Sequence, residues 1–335
     1  MSRERASVKD VAERAGVSVG TVSNVLNRPE SVTDHTRQRV EVAMAELNFM
    51  RNASARQLRA GVSTTVGAIL MDLGNPFYTE IARGMEDRLA ADGHTLMVCS
   101  SDEDPRREER FMRMFAEQGV RGILVTPMAT TDERLAGLEK FGIPAVLVDS
   151  RSATHASVGV DSIHGGEAAV GHLLERGHRR IVFVGAGEHL QQPRHRHRGA
   201  VKAIIRAGLD PLDVLRQHDV TQITANEGQR AMAEALDAPG ETPTAVFCIN
   251  DLVALGALRE LRRRGIAIPS GMAVVGYDDL YWAAELMTPL TSVRQPMRQL
   301  GWAAADQLLT GADPAEHAIF LPELVIRPSS DHWRS

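Results

Sequence analysis

The feature that most constrains the fold is an alternation of short apolar runs with longer amphipathic segments, beginning at residue 64. The runs 66–71, 96–99 and 122–126 are continuously apolar, unlike strands with one face in water. Continuous apolar strands separated by helices are typical of parallel sheets covered on both faces. Because two such series follow each other along the chain, the sequence predicts two doubly wound parallel α/β lobes.

Polar residues stand where several of the predicted strands end. Ligands of open α/β sheets bind outside the carboxyl ends of the strands, here between the lobes. Carboxylates and amides meeting there suit a polyhydroxylated or amine-bearing ligand. The alternative is that each one only caps the following helix. Both interpretations stay open for Asp72, Asn75, Ser101, Asp102, Asp149, Asn250, Asp251, Asp278 and Asp279.

The first sixty residues have a different pattern, that of three short helices. Ser7 with an acid three residues later predicts a capped first helix, which Gly16 ends. Ser18 caps a second helix over 19–26, and a third is predicted over 34–47. Two short helices joined by a glycine-containing turn form the helix-turn-helix layout.

In that layout the second helix enters the DNA major groove. Val19 and Gly20 point outward near its start and Asn24 follows one turn later; valine packs on a thymine methyl and asparagine pairs with adenine. The short polar side chains of Thr21, Ser23 and Asn27 can donate hydrogen bonds to phosphate oxygens. The candidate DNA contacts here are Ser18, Val19, Gly20, Thr21, Ser23, Asn24 and Asn27. A plain three-helix bundle fits the spacing equally well.

Charge and cysteine content narrow the class of protein. The chain carries a net charge of −5, yet its first sixty residues hold ten Lys and Arg against seven Asp and Glu, as expected if only this head meets phosphate. Cys99 and Cys248 lie in apolar runs and suit a reducing compartment. The charged segment 3–9 has no apolar region after it, and no run reaches membrane-spanning length. We therefore expect a cytoplasmic protein.

The run from Val8 to Asn27 resembles the head of the lactose-repressor (LacI/GalR) family almost residue for residue. Residues 32–37 and 43–49 are similar to the same head. The body resembles the periplasmic-binding-protein-like sensor of that family at 75–78, 101–104, 122–125, 160–161, 177–181, 250–256, 274–279, 289–293 and 321–327.

The resemblance implies a transcriptional regulator, usually a repressor, that binds a palindromic DNA operator as a homodimer. A small-molecule effector, such as a sugar, a sugar derivative or another polar metabolite, would control it. The expected domains are a helix-turn-helix head (1–50), a hinge helix (51–61) and a two-lobed sensor (62–330). Within the sensor we expect 64–161 with 291–325 in one lobe and 162–290 in the other. A terminal coiled coil that would make a tetramer is not expected.

For the hinge, the resemblance implies a helix that folds only on the operator, where a leucine from each copy opens the central base step. Leu58 holds that position, and Ala55, Arg56 and Arg59 flank it. An apolar wedge that unstacks a flexible step and bends the duplex is physically reasonable. So short a helix is unstable alone in water.

For the effector, the resemblance implies contacts from Asn75, Phe77, Asp149, Arg196, Asn250 and Asp278. Arg196 and Asp278 can hold a diol or a carboxylate through charge-assisted hydrogen bonds. The chain departs from the family by placing Ala200 and Ile223 at common aromatic positions, which leaves Phe77 and Trp282 as stacking candidates.

The segment 194–198 alternates arginine and histidine. It indicates either an anionic effector or exposed loop charge, and less readily a metal site from His195 and His197.

Two other classes of protein share part of this pattern. A solute-binding protein without a regulatory role would share the lobes, but it would need a signal peptide and would lack residues 7–58. An enzyme would need a catalytic motif, and the sequence has no phosphate-binding Walker loop, zinc-binding helix or nucleophile elbow. Residues 185–187 lack the third glycine of a dinucleotide-binding loop. We expect no catalysis, no cofactor and no metal.

Overall fold

The computed structural model describes residues 6–49, 63–128, 131, 134, 135, 137, 142–186, 190–311, 313 and 317–331. The chain forms two compact units, Met1–Val62 and Ser63–Ser335. Within the described residues, no helix is long and apolar enough to cross a membrane.

The first unit is a bundle of three helices, α1 (Val8–Ala15), α2 (Val19–Asn27) and α3 (Asp34–Glu46). A short 3₁₀ turn, Pro29–Ser31, follows α2. The core consists of small apolar side chains, as short helices at close approach require. It is formed by Val11, Ala12, Ala15, Val22, Val25, Val40 and Ala43. The predicted helix limits are confirmed to within one residue.

The ends of α1 explain why the sequence identified it so well. The Ser7 hydroxyl accepts a bond from the Asp10 amide (3.3 Å), and the Asp10 carboxylate accepts one from the Ser7 amide (2.7 Å). This reciprocal pair is a capping box. At the other end Gly16 has φ 63°, the left-handed conformation that closes a helix.

Arg39 of α3 holds the turn between α1 and α2. Its Nη2 donates to the carbonyl oxygens of Ala15 (2.5 Å) and Gly16 (3.2 Å). These carbonyls lie at the carboxyl end of α1 and lack helical partners, so the guanidinium satisfies them. The turn that presents α2 is thereby attached to the third helix.

The second unit alternates strands and helices as predicted. Its strands are β1 (Thr65–Leu70), β2 (Thr95–Ser100), β3 (Ile123–Val125), β4 (Ala145–Val148), β5 (Ser157–Val160), β6 (Ile181–Ala186), β7 (Leu215–Val220), β8 (Ala245–Cys248), β9 (Ala273–Asp278), β10 (Thr291–Arg294), β11 (His317–Phe320) and β12 (Glu323–Val325). Its helices are α4 (Pro76–Ala91), α5 (Pro105–Glu117), α6 (Ser162–Glu175), α7 (Gln191–Arg206), α8 (Pro211–Val214), α9 (Ala225–Asp237), α10 (Asp251–Arg263) and α11 (Met297–Thr310).

The strands form two six-stranded sheets, which are the cores of two lobes. The first sheet has the order β11-β5-β4-β3-β1-β2, and its strands are parallel. The second has the order β12-β10-β9-β8-β6-β7 and is parallel except for β12. Apolar side chains fill both faces of the first sheet and the centre of the second. The predicted two-lobed α/β fold is confirmed.

The chain crosses between the sheets after β5, after β10 and between β11 and β12. The prediction that 291–325 lies wholly in the first lobe is therefore wrong at both ends of that range. Residues 291–294 pair with β9, and residues 323–325 pair with β10, so both strands belong to the second sheet. Helix α11, between them, packs on α4 of the first lobe.

Two further differences concern local structure. Helix α7 starts at Gln191, so the segment 194–198 is helical and not a loop. Its charged residues hid the helix because the apolar face shows only from Gly199 onward. Strand β7 was not predicted, because it is an edge strand with mostly polar side chains exposed to solvent.

Helices α4 and α11 pack closely because each has a glycine at the contact. A Cβ on Gly84 would lie 2.0 Å from the Arg298 carbonyl oxygen, and one on Gly301 would lie 1.9 Å from the Ile81 carbonyl oxygen. Backbone meets backbone at this crossing, so no side chain can rotate away. Glycine is required here for packing and not for turn geometry.

We expect Gly301→Ala to destabilise the protein by about 1–3 kcal/mol, because an overpacked contact forces the two helices apart. The matched control is Gly171→Ala in α6, where a Cβ would meet nothing within 4 Å. That change should stabilise by about 0.4–1 kcal/mol through the unfolded state. Urea unfolding of both variants measures the difference; equal effects would contradict the close approach.

Candidate functional site

A small cavity, partly open to solvent, lies at the carboxyl ends of the strands of both lobes. Its lining mixes carboxyl, amide and apolar groups, a composition typical of small-molecule sites. It is formed by Met71, Asp72, Asn75, Phe77, Tyr78, Glu103, Asp149, Leu190, Gln192, Pro193, Arg196, Ile223, Ile249, Asn250 and Asp278. All six residues predicted for effector contact are among these.

Two of the six, Asn75 and Asn250, also cap helices. The Asn75 Oδ1 accepts from the Phe77 amide at 3.0 Å, and the Asn250 Oδ1 accepts from the Val253 amide at 2.9 Å. The helix-capping interpretation is thus confirmed for both residues, and both also line the cavity. Since the oxygen is used by the cap, the amide NH₂ group of each side chain is the part that could serve a ligand.

Arg196 of α7 lies in the wall of the cavity. Its guanidinium carbon lies 3.7 Å from the centre of the Tyr277 ring, in a cation–π contact. Nη1 donates to the Ile249 carbonyl, and Nη2 lies 4.0 Å from an Asp278 carboxylate oxygen. Nε is buried and has no hydrogen-bond partner. A buried, unpaired donor is costly, and a ligand can relieve that cost.

Asp149 and Asp278 are buried carboxyls at this wall. Burial raises the pKa of Asp149 to about 6, although Arg196 and the Gln192 amide act in the opposite direction. Burial raises the pKa of Asp278 as well, against the effect of Arg196. The Gln295 amide donates to Asp278 at 2.7 Å. Perturbed acids beside one guanidinium in a cavity are typical of a functional site.

Other polar residues at the strand ends have structural roles. Asp251 is fully buried, and its carboxylate accepts bonds from the Leu280 amide (2.8 Å) and the Ser292 hydroxyl (2.6 Å). Asp279 is paired with Arg294 (2.7 Å) and Arg327 (2.6 Å). These two carboxylates hold the loop after β9 in place behind Asp278.

Sequence reasoning missed several members of the lining. Gln192 and Leu190 belong to the start of α7, which was predicted to begin later. Glu103 follows β2, next to the strand-end residues Ser101 and Asp102. Ile223, which stands at a position where an aromatic residue is common in the family that the sequence resembles, lines the cavity. Trp282 packs into the apolar clusters of both lobes and does not line it.

The two glutamines that start α7 attach the second lobe to the first. The Gln191 Oε1 accepts from the Arg151 amide (3.0 Å), and its Nε2 donates to the Arg151 carbonyl (3.2 Å). The Gln192 Nε2 donates to the Asp149 carbonyl oxygen and lies 3.2 Å from its carboxylate. These bonds hold the lobes together at the edge of the cavity.

The head presents α2 as predicted. Val19, Gly20 and Asn24 are exposed, with Val19 47% accessible. The Ser18 hydroxyl accepts from the Thr21 amide at 3.0 Å, which fixes the start of the helix. The Asn27 amide donates to the Ser23 carbonyl at 2.8 Å, so part of its polar capacity is used within the helix. Ala55, Arg56, Leu58 and Arg59 lie outside the described residues.

His195 and His197 stand two residues apart on α7 and therefore point to different sides of the helix. His197 packs 5.4 Å from the Phe183 ring centre. Among the described residues, no group of three or more His, Cys, Asp or Glu side chains is arranged to hold a metal ion.

Comparison with known proteins gives a consistent result. Residues 7–52 match the model of bacterial regulatory proteins of the lacI family, and residues 170–330 match that of a periplasmic binding protein-like domain. The HTH-type transcriptional repressor PurR of Aliivibrio salmonicida is 34% identical over 97% of this chain and 98% of its own. The HTH-type transcriptional regulator DegA of Bacillus subtilis is 31% identical over 97% and 98%.

Among solved structures, the Lac repressor dimer bound to operator and the anti-inducer ONPF has a TM-score of 0.83 with this chain. The two chains are 28% identical, and the match covers 98% of this chain and 99% of that one.

The raised pKa of Asp149 predicts a pH dependence of stability. An acid whose pKa rises from 3.8 to about 6 on folding binds its proton more tightly in the folded state. The unfolding free energy therefore falls as pH rises through this window, by about 3 kcal/mol in total. Asp149→Asn lacks this term, so its stability relative to the wild type should increase between pH 4 and pH 7.5.

Denaturant unfolding at several pH values measures that difference. The control is Asp237→Asn, because Arg264 lowers the pKa of the Asp237 carboxyl below 3.8, so the difference from the wild type should stay nearly constant above pH 4. A pH-independent difference between Asp149→Asn and the wild type would contradict the burial of an ionisable group at this position.

Proposed function

Since the chain belongs to the LacI family of bacterial regulatory proteins, we propose that it is a DNA-binding transcriptional repressor controlled by a small-molecule effector. It binds a palindromic operator as a homodimer, with the head on DNA and the effector between the lobes. The observation that carries this proposal is the presence, in one chain, of a helix-turn-helix head and a two-lobed body with a polar cavity.

The similarity of the whole chain to repressors supports this assignment over a solute-binding protein without a regulatory role. Such a protein would have no use for a head that exposes the start of α2. Lac repressor has been solved as a dimer on its operator, and CelR as a complex with cellobiose. These structures support a dimer, an operator and a polar small molecule for this chain.

On DNA, Val19, Gly20 and Asn24 contact base edges in the major groove. The four short polar residues Ser18, Thr21, Ser23 and Asn27 contact the phosphate backbone. The exposure of the first three and the capping role of Ser18 support this division. The hinge contacts, Ala55, Arg56, Leu58 and Arg59, are proposed from the family resemblance alone.

The effector contacts are Asn75, Phe77, Asp149, Arg196, Asn250 and Asp278. Because these come from both lobes, an effector that binds them favours one arrangement of the lobes over another. Differential affinity for two arrangements is what couples a ligand to a distant site. The protein acts in the cytoplasm, where the chromosome is, and it performs no catalysis and requires no cofactor.

The test is selection of bound fragments from random DNA by the purified full-length protein, read by sequencing. Recovery of a palindrome supports a dimeric operator-binding regulator. If no motif is recovered, the selection is repeated with small metabolites from a bacterial extract. Failure in both conditions overturns the proposal.

With the operator in hand, Val19→Ala and Asn24→Ala should each weaken binding about tenfold or more, since a base contact contributes about 1–3 kcal/mol. The matched control is Val42→Ala on α3, because Val42 is 52% exposed, close to the 47% of Val19. Fluorescence anisotropy on labelled operator measures all three. Equal losses for Val19→Ala and Val42→Ala would contradict the assignment of α2 as the reading helix.

A further inference from the structure

A second cavity lies next to the one that holds the proposed effector contacts. Gln192 and Asp149 line both cavities, and the Gln192 Nε2 donates to a carboxylate oxygen of Asp149 at 3.2 Å. The second cavity is formed by the loop after β4, the start of α6 and one face of α7. Its volume is about 390 Å³, which is within the range of small-molecule sites. It therefore has room for a ligand of its own.

The basic run 194–198 is divided between the two cavities. His195 and Lys202 lie seven residues apart on one face of α7, and both line the second cavity. Arg194 and Arg198 are exposed and flank His195 on the helix. Arg196 lines the first cavity instead. The second cavity thus has an imidazole in its wall with two arginines beside it.

The surroundings of His195 are positively charged. Burial lowers the pKa of His195, and the neighbouring Arg198 and Arg194 lower it further. Asp161 acts in the opposite direction, and Arg151, which lines the cavity from the loop after β4, acts with the other arginines. Positive charge therefore outweighs negative charge at this imidazole, as an anion would require.

Two further carboxylates line the cavity, and each has partners of its own. Glu167 of α6 is paired with Lys202 at 2.8 Å and with Arg206. Asp161 caps α6, since its Oδ1 accepts from the His164 amide at 2.9 Å. These partners compensate both negative charges locally, which leaves the basic groups around His195 in excess.

The first turns of two helices also meet at the cavity. Ser162, Ile163 and His164 belong to the start of α6, and Gln191 starts α7. The start of a helix carries a partial positive charge from its unpaired amide groups and attracts anions. With 14 and 16 residues, both helices are long enough to have this dipole, which adds to the charge of the basic side chains.

We propose that the second cavity is a binding site for a small anion with a phosphate or carboxylate group, held between Arg151, His195 and the start of α6. Guanidinium and imidazolium groups form charge-assisted hydrogen bonds to such oxygens. The site is separate from the proposed effector cavity. Anion binding there requires neither DNA nor an effector, so the proposal does not depend on the proposed function.

The position of this site links it to the contact between the lobes. The Arg151 amide donates to the Gln191 Oε1 at 3.0 Å, and the Arg151 carbonyl oxygen accepts from the Gln191 Nε2 at 3.2 Å. An anion held by Arg151 and α7 joins the two lobes at the same place. Its binding should therefore stabilise the hydrogen bonds that Gln191 makes.

The first test uses sulfate as the probe, because sulfate keeps its charge over the pH range of the experiment. Thermal unfolding of the full-length protein is followed over a sulfate titration at pH 6, with sodium chloride keeping the ionic strength constant. Sulfate also stabilises proteins through exclusion from their surface, an effect that does not saturate and that all variants share. The variants are Arg151→Gln, His195→Gln and Arg196→Gln, with Arg262→Gln, an exposed arginine of α10, as the matched control.

We expect saturable binding to the wild type and affinities about tenfold lower for Arg151→Gln and His195→Gln, since each removes a charge-assisted hydrogen bond. Arg196→Gln and Arg262→Gln should bind sulfate as the wild type does. Absence of saturable binding to the wild type, or equal affinity of all variants, would overturn the proposal. A loss in Arg196→Gln that Arg151→Gln does not share would also overturn it, because the anion would then occupy the first cavity. If Arg196→Gln does not fold, the other variants decide.

The affinity for sulfate should depend on pH through His195. A bound anion stabilises the imidazolium and raises the pKa of His195 in the complex, so affinity should increase as the pH falls from 7.5 to 5.5. The ratio of the wild-type affinity to that of His195→Gln should increase over the same range. The variant retains the other ionisable groups of the wall, among them Asp149, Asp161, His164 and Glu167. A constant ratio would contradict the placement of the anion at His195.

Inorganic phosphate and malonate then compete with sulfate at pH 7.5. The competitor that displaces sulfate at the lower concentration identifies the preferred group, phosphate or carboxylate. If neither competes, the site takes neither group and the proposal fails.

Hydrogen exchange tests the position of the anion between the lobes. Saturating sulfate should slow exchange of the Arg151 amide hydrogen in the wild type, because that amide donates to Gln191 across the lobes. At the same sulfate concentration the effect should be smaller in His195→Gln. An unchanged exchange rate in the wild type would contradict a site that joins the lobes.

Discussion

The grouping of Arg196, Asp149 and Asp278 is the interaction on which the site depends. Three ionisable side chains are buried together, and the ion pair between Arg196 and Asp278 is long, at 4.0 Å. Burying such groups with incomplete pairing lowers stability, as the raised pKa of Asp149 indicates. Apolar side chains at these three positions would give a larger free energy of unfolding. The arrangement is understandable if a ligand supplies the missing partners.

The rest of the body serves to bring these groups together. Parallel strands in both sheets end at the cavity, and the polar residues that follow them cap helices while facing inward. Asp149 belongs to the first lobe, whereas Arg196 and Asp278 belong to the second. Gln191 and Gln192 hold the lobes at the same edge. A ligand that alters these hydrogen bonds alters the arrangement of the two lobes. This coupling is the physical basis of control in the proposed repressor.

Much of this could be predicted from sequence, for identifiable reasons. The head was predicted nearly to the residue because Ser7, Asp10 and Gly16 encode its caps locally. The six cavity residues were found because strand ends and family motifs coincide. Gln192 was missed because its helix begins with polar residues. The lobe boundary at 291 was predicted wrongly because strand pairing depends on residues far apart in the sequence. The interpretation of 194–198 as loop charge was wrong because the polar start of α7 hides the helix, so the direction of each side chain could not be predicted.

The most direct test of the central claim is operator affinity measured with and without a small-metabolite extract, for the wild type and for Arg196→Ala. The account predicts that the extract changes the operator affinity of the wild type and leaves that of Arg196→Ala unchanged. If the effector releases DNA, both proteins bind the operator without the extract. If the effector is a corepressor, neither binds without the extract, and only the wild type binds with it. Equal responses of the two proteins would contradict the claim, because the effector would then act somewhere other than this cavity.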